Sequence, residues 1–216
     1  MGLRHSGIIY WECMEVAAIL GIAYFLGTLL PGLWIPRLYG VDIRQVGSGN
    51  VGSTNVYRVL GFWPGFWVQL IDIGKAALAV WIARRGSEEV WVWYAAVTAA
   101  VLGHIFPVWT KFKGGKGVNA LLGGMIGIEP LSTIAAAGVF LLVLLAARYV
   151  SLSSMIAVSS YVLWHGVVGN GNPEGYVFGV AWALLILYTH RSNICRLWRG
   201  EEPRVGKRKP VHPARS

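Results

Sequence analysis

Charged side chains are scarce in this sequence. They make up 13% of its 216 residues, where a soluble domain carries about 25%. Apolar residues make up 55% and run in long blocks. Together these exclude an ordinary water-facing globule and point to a membrane as solvent. Cysteine is nearly absent too. Cys13 and Cys195 are the only two. Neither belongs to a CxxC pair, and the topology below puts them on opposite sides of the bilayer, which argues against a disulfide framework and a cysteine metal site. No Walker loop and no dinucleotide fingerprint is present. No cleavable signal peptide is evident, so the first apolar block reads as a retained span.

Acidic residues are outnumbered, ten against nineteen basic ones, for a net charge of +9. The basic residues interrupt apolar blocks and do not form one stripe. That favours anionic lipid and phosphorylated small molecules as partners, with no nucleic acid.

A bilayer core needs about 20 apolar helical residues. Seven apolar blocks are found, at 14–36, 64–83, 90–108, 117–130, 131–148, 151–169 and 174–190. The fourth is short and runs into Glu129-Pro130, where the proline favours a tight turn. The expected fold is therefore an all-α integral membrane protein with seven transmembrane helices. After the odd-numbered blocks come Arg37, Arg44 and Arg58; Lys111, Lys113 and Lys116; Arg148; and eight basic residues of the C-terminal tail. The other side holds Arg4, Arg84 and Arg85, while Lys75 lies inside a span beside Asp72. By the positive-inside rule the C-terminus is cytoplasmic and the N-terminus outside. Residues 1–200 read as one domain and 201–216 as a basic cytoplasmic tail, on the membrane surface or disordered. Asp72 and Lys75, three apart on one helix, are expected to pair, because an unpaired charge at that depth is expensive.

Three polar segments fall on the basic side. The first runs from Gly47 to Asn55 and on to Arg58. Its glycines let a backbone approach a ligand. Ser48, Ser53 and Thr54 add hydroxyls, Asn50 and Asn55 add amides, and Arg58 adds a guanidinium fork suited to phosphate. The second runs from Gly103-His104 through Lys111 and Lys113 to Gly114-Gly115-Lys116-Gly117, leading into a helix. A helix N-terminus with a lysine beside it is a ready phosphate cradle. The third is His190-Arg191-Ser192-Asn193, continuing to Arg196 and Glu202. His190 and Asn193 share a face if the helix continues. Ser151 and Ser154 follow a short turn, where they can line the pocket or cap a helix. Each segment alone is also consistent with a polar loop or membrane-flanking charge. Their convergence on one side is what favours an enzyme acting on a phosphorylated substrate. A small anion transporter would need repeat symmetry or polar residues at mid-membrane depth on several spans, and only Asp72 and Lys75 are clearly placed there.

The segments GSGNVGSTNVYR at 47–58, GHIFPVWTKFKGGKGV at 103–118 and HRSNICRLWRGEEP at 190–203 resemble, in this order, the motifs of the bacterial acyl-phosphate:glycerol-3-phosphate acyltransferases (PlsY type). The likeness extends from about Tyr24 to Gly206. It implies seven spans in the bacterial inner membrane and a cytoplasmic site. It implies transfer of an acyl group from acyl phosphate to the 1-hydroxyl of glycerol 3-phosphate, with no metal or other cofactor and a monomeric state. By motif position it implies substrate-binding or catalytic roles for Ser48, Arg58, Lys116, His190 and Asn193, and His104, an imidazole near a span end that can accept a proton or donate to a phosphate, joins the catalytic candidates on its own chemistry. Substrate contacts would come from Gly49, Asn50, Thr54, Asn55, Lys111, Gly114, Gly115, Gly117, Ser151, Ser154 and Glu202. The proton acceptor is left among His104, His190 and a substrate phosphate oxygen. No serine has a base fixed beside it by spacing, so no covalent intermediate is indicated. The H-x4-D motif of the other broad type of glycerol-phosphate acyltransferase is absent, since the residues five after His5, His104, His165 and His190 are Tyr10, Trp109, Asn170 and Cys195. The sequence departs from the family pattern at Val51, Ser53, Asn119-Ala120 and Glu201.

Overall fold

The structure is a computed structural model that describes residues 3–206, with side chains described from residue 13 onward. The basic residues of the tail beyond 206, and Arg4, lie outside those limits. The described chain is helical and contains no strand. Ten α-helices follow in order: α1 Leu3–Gly27, α2 Pro31–Leu38, α3 Ser53–Leu60, α4 Phe62–Gly86, α5 Val90–Ile105, α6 Val118–Ile128, α7 Pro130–Ala147, α8 Val150–Val167, α9 Pro173–Thr189 and α10 Arg191–Trp198.

Five stretches are long and apolar enough to cross a membrane: Cys13–Leu38, Phe62–Gly86, Val90–Thr110, Pro130–Ala147 and Val150–Val167. α6 and α9 are apolar but shorter. With 11 residues, α6 is about 16 Å long at 1.5 Å per residue. The first apolar block is not one helix. Pro31 begins α2, and a proline lacks the N–H and crowds the carbonyl four residues back, so the chain breaks between Gly27 and Pro31. The Glu129-Pro130 turn is as expected: one residue separates α6 from α7.

The packing follows membrane logic, in which helices approach through small residues. α4 sits centrally, against α1, α2, α3, α5 and α6, while α7, α8 and α9 pack alongside. The buried centre is rich in alanine and valine: Ala76, Ala79, Val80, Ala96, Val97 and Ala100 are each at most 1% exposed. A Cβ on Gly103 of α5 would collide with the backbone of Tyr24 and stand 3.1 Å from the Gly27 Cα of α1. Large apolar side chains instead face outward, as with Leu131, Ile134, Leu141, Leu142 and Leu145 of α7.

Two polar clusters are sealed inside. At the far end of α6, Glu129 accepts from Tyr94 Oη at 3.0 Å and Tyr161 Oη at 3.1 Å. Its other contacts are Ser132 Oγ at 3.0 Å and His165 Nδ1 at 2.7 Å. A buried carboxylate persists only when so satisfied. The second cluster is the expected ion pair, Lys75 Nζ to Asp72 Oδ1 at 2.8 Å. It lies toward the glycine segments and also contains His104.

Candidate active site

The first glycine segment holds itself open with its own amides. Asn55 Oδ1 accepts from the Ser48 N–H at 2.9 Å, and Asn55 Nδ2 donates to the carbonyls of Val46 at 3.1 Å and Ile43 at 3.3 Å. Asn55 is 2% exposed, so it builds the loop and is not available to touch substrate, contrary to the sequence expectation. Asn50 Oδ1 accepts from the Gly52 N–H at 2.7 Å, which leaves its amide N–H2 for a ligand. Gly52 precedes α3, a helix hidden in sequence by its polar composition. Below the loop Ile43, Val51, Val56 and Val68 form a small apolar core with Leu30. Above it Ser48 and, from α3, Arg58 are exposed.

The second segment differs from a simple anion nest. The Gly114 N–H donates to the Ile105 carbonyl at 3.0 Å and the Gly115 N–H to the His104 carbonyl at 3.0 Å. Those two donors satisfy the open end of α5 and are not offered to a phosphate. The free N–H groups are those that begin α6, after Gly117, whose φ of +86° is natural only for glycine. Lys111 and Phe112 turn the chain with positive φ; Lys111 stays exposed, with no side-chain hydrogen bond among the described residues.

The third segment is not one continuous helix, because His190 separates α9 from α10. The Asn193 N–H donates to the His190 carbonyl at 2.8 Å, so the two still lie on one turn. Both are buried. His190 donates from Nδ1 to the Ile186 carbonyl at 2.8 Å. Its Nε2 is then an acceptor.

Glu202 draws these parts together. Its Oε1 accepts from Ser151 Oγ at 2.7 Å and Asn193 Nδ2 at 2.6 Å, and its Oε2 from Arg196 Nε at 2.7 Å. With the amide nitrogen of Asn193 held there, its oxygen must face the other way, and Lys116 Nζ donates to it. Thr189 Oγ1 donates to the Lys116 carbonyl at 3.2 Å. Burial would raise the Glu202 carboxyl, but the hydrogen bonds from Ser151, Asn193 and Arg196 outweigh it and hold the group below the usual carboxylate range. Lys116 is pushed down to about 8, first by burial; Glu202 opposes this, while Arg196 and Arg58 add repulsion. Arg58, Lys116 and Arg196 thus lie within electrostatic reach of one another and of Glu202, a surplus of positive charge suited to an anionic ligand.

Ser154 is not part of this set. It is 4% exposed and donates to the Val150 carbonyl one turn back, at 2.9 Å. His104 sits beneath the Gly114-Gly115 turn, 3% exposed. Sequence reading placed Arg196 in the third segment without giving it a role and left Thr189 out; Arg196 follows Asn193 by three on α10, and that spacing was the available signal.

Two departures from the family pattern prove to be partners. Asn119 Nδ2 on α6 donates to Ser53 Oγ on α3 at 2.9 Å, tying together the helix starts that follow the two glycine segments. Ser53→Ala and Asn119→Thr are each expected to raise KM for the phosphorylated substrates about threefold, and the double variant no further. Additive losses in that double-mutant cycle would show the two sites to be independent.

Residues 17–200 match the family model described as glycerol-3-phosphate acyltransferase. The protein of that name from Synechococcus sp. (strain CC9902) is 41% identical over 195 residues, covering 88% of this chain and 95% of its own. The one from Geotalea daltonii is 42% identical over 191 residues, covering 87% and 96%. Two solved structures of PlsY (YgiH), an integral membrane glycerol 3-phosphate acyltransferase, superpose on this fold. The glycerol 3-phosphate form has a TM-score of 0.84 at 40% identity, covering 88% of this chain and 96% of that one. The lysophosphatidic acid form has a TM-score of 0.82 at 39% identity, covering 88% and 95%.

Proposed function

As a member of the glycerol-3-phosphate acyltransferase family, this chain is an acyltransferase, and we propose that its donor is acyl phosphate, its acceptor the 1-hydroxyl of glycerol 3-phosphate, and its products lysophosphatidic acid and inorganic phosphate. The observation that carries this reading is the chain in which Lys116 binds Asn193 and both Asn193 and Arg196 bind Glu202, with the Arg58 guanidinium close enough to feel Glu202 and Arg196. A donor and an acceptor that each carry a phosphate need such a surplus of positive charge to lie side by side. The transfer is read as direct, without an acyl-enzyme, since Ser48 has no histidine partner among the described residues.

In that reaction the hydroxyl oxygen attacks the acyl carbonyl, the bond from carbonyl carbon to phosphate oxygen breaks, and phosphate leaves. Arg58 and Lys116 offset the repulsion between the two anions and stabilise the leaving phosphate. Asn50, through its free amide, orients the glycerol part, Asn193 holds Lys116 against Glu202, and the site's main contribution is to hold the reactants in line. Of the three proton acceptors considered from sequence we take His190, because its Nδ1 donates to the Ile186 carbonyl and leaves Nε2 with a free lone pair. Ser48, Thr54 and the α6 start bind phosphate oxygens.

The same reading makes seven crossings, with the glycine segments on the cytoplasmic side of a bacterial inner membrane and a monomer as the working unit. The short α6 fits this if its Gly114–Gly117 end is recessed within the bilayer thickness, where irregular backbone is tolerated because protein covers it. The donor is tested by giving purified protein glycerol 3-phosphate with acyl phosphate, acyl-CoA or acyl carrier protein in turn. Product from acyl phosphate alone is expected; product only from a thioester would overturn the proposal.

A further inference from the structure

Three ionisable side chains under the Gly114–Gly117 turn have no part in the scheme above. Asp72 and Lys75 come from α4 and His104 from the end of α5, and they are 1%, 5% and 3% exposed. Lys75 donates to the Leu29 carbonyl, left open by the break before Pro31. The same ammonium lies 2.8 Å from Asp72 Oδ1 and 2.9 Å from His104 Nδ1. An ammonium has only donors, so at this contact Nδ1 is the acceptor. Asp72 Oδ1 is 3.3 Å from the same Nδ1, longer than a normal N–H···O bond. The ring proton is then on Nε2. That atom has no hydrogen-bond partner among the described residues. It lies against Gly115, where any Cβ would collide with it.

We propose that His104 donates its Nε2–H to an oxygen of a phosphate group held over Gly114–Gly117, and that Lys75, held by Asp72, is a positioning residue that selects this tautomer. The two buried histidines then have opposite tautomers and opposite duties. His190 spends its proton on a backbone carbonyl and offers a lone pair. His104 spends its lone pair on Lys75 and offers a proton. The arrangement also gives the glycine at 115 a specific purpose. Its backbone must cross the ring nitrogen without a side chain, since a methyl group there would cover the donor. The phosphate belongs to either glycerol 3-phosphate or the acyl phosphate. This inference rests on the proposed function for the identity of both.

His104→Gln and His104→Asn separate the duties of the ring, because a glutamine amide reaches the position of Nε2 and an asparagine amide that of Nδ1. His104→Asn is expected to raise KM for one phosphorylated substrate about tenfold. His104→Gln should raise it no more than about threefold. The substrate whose KM moves identifies the phosphate. Asp72→Asn combined with Lys75→Met, which removes both charges together, should match His104→Asn. Equal losses in the two His104 variants would overturn the proposal. Should the variants not fold, 15N spectra of histidine-labelled wild-type protein decide it, with Nε2 protonation expected and Nδ1 protonation overturning it. Calorimetric binding of glycerol 3-phosphate to the wild type runs without any acyl donor. A failure of the acyl-phosphate assignment is therefore distinguishable from a failure of the role of His104.

Discussion

Alanine at position 116 is expected to lower the acyl-transfer rate by about 100-fold, close to 2.7 kcal/mol of barrier, while the protein keeps its melting temperature in detergent. Removing one preorganised donor from a developing charge typically costs 100- to 1,000-fold, and Lys116 is held at both its ammonium and its backbone. Its ammonium is fixed by Asn193 and its backbone by Thr189. Stability should change little, because the ammonium is only partly buried and its loss leaves a neutral amide, not an unpaired charge. Near-normal turnover by Lys116→Ala would remove the anion clamp from the mechanism.

The acidity of Lys116 supplies a second readout. Its ammonium is held down to about 8 by burial and by the neighbouring Arg196 and Arg58. A lysine is charged below its pKa, so on the alkaline side kcat/KM, which reports the free enzyme, should be level near neutrality and fall as pH rises through about 8. Lys116→Arg keeps its charge at every accessible pH. Whatever activity that variant retains should lack this alkaline fall. A wild-type profile that stays level to pH 9 would show that the charge on Lys116 is not used.

The sequence marked the long apolar helices because their length in a bilayer is set by a single variable, and it marked three polar segments only through their convergence on one side, since each alone could be a loop or membrane-flanking charge. It did not reveal which polar atoms remain free. Asn55 and Asn50 look alike in the motif, yet the carbonyls of Ile43 and Val46 consume Asn55. Ser151 and Ser154 share one turn of α8, yet one reaches Glu202 and the other its own backbone. Such choices depend on partners up to 51 residues away, for which local spacing carries no signal. α3 was hidden for another reason. Its eight residues do carry an amphipathic period, with Val56 packed into the small core beneath the loop, but their polarity and short length set them apart from the apolar blocks that mark spans.

Glu202 should separate folding from catalysis. Glu202→Ala would strand three donors at once, those of Ser151, Asn193 and the guanidinium of Arg196. Each buried donor left unsatisfied costs about 1–3 kcal/mol, and the Arg196 guanidinium, a third exposed, is partly satisfied by water, so melting temperature is expected to fall clearly and activity to be lost. Glu202→Gln preserves the shape and one acceptor but turns an N–H2 group toward either Asn193 or Arg196. It should therefore fall between wild type and alanine in both properties. The pH dependence has a definite sign. The folded carboxyl sits below its ordinary value, so the stability it contributes is complete above the unfolded value of about 4.3 and is lost as pH falls through the folded one. Melting curves between pH 7 and pH 3.5 should show that acid loss in the wild type and a shallower one in Glu202→Gln. The contrast with Lys116 is the decisive part. Both variants lose turnover, but only loss of Glu202 should weaken the fold as well, because Lys116 meets the reactants while Glu202 holds in place the residues that do. A Glu202→Ala protein with unchanged melting temperature and low activity would instead put the carboxylate itself among the groups that touch substrate.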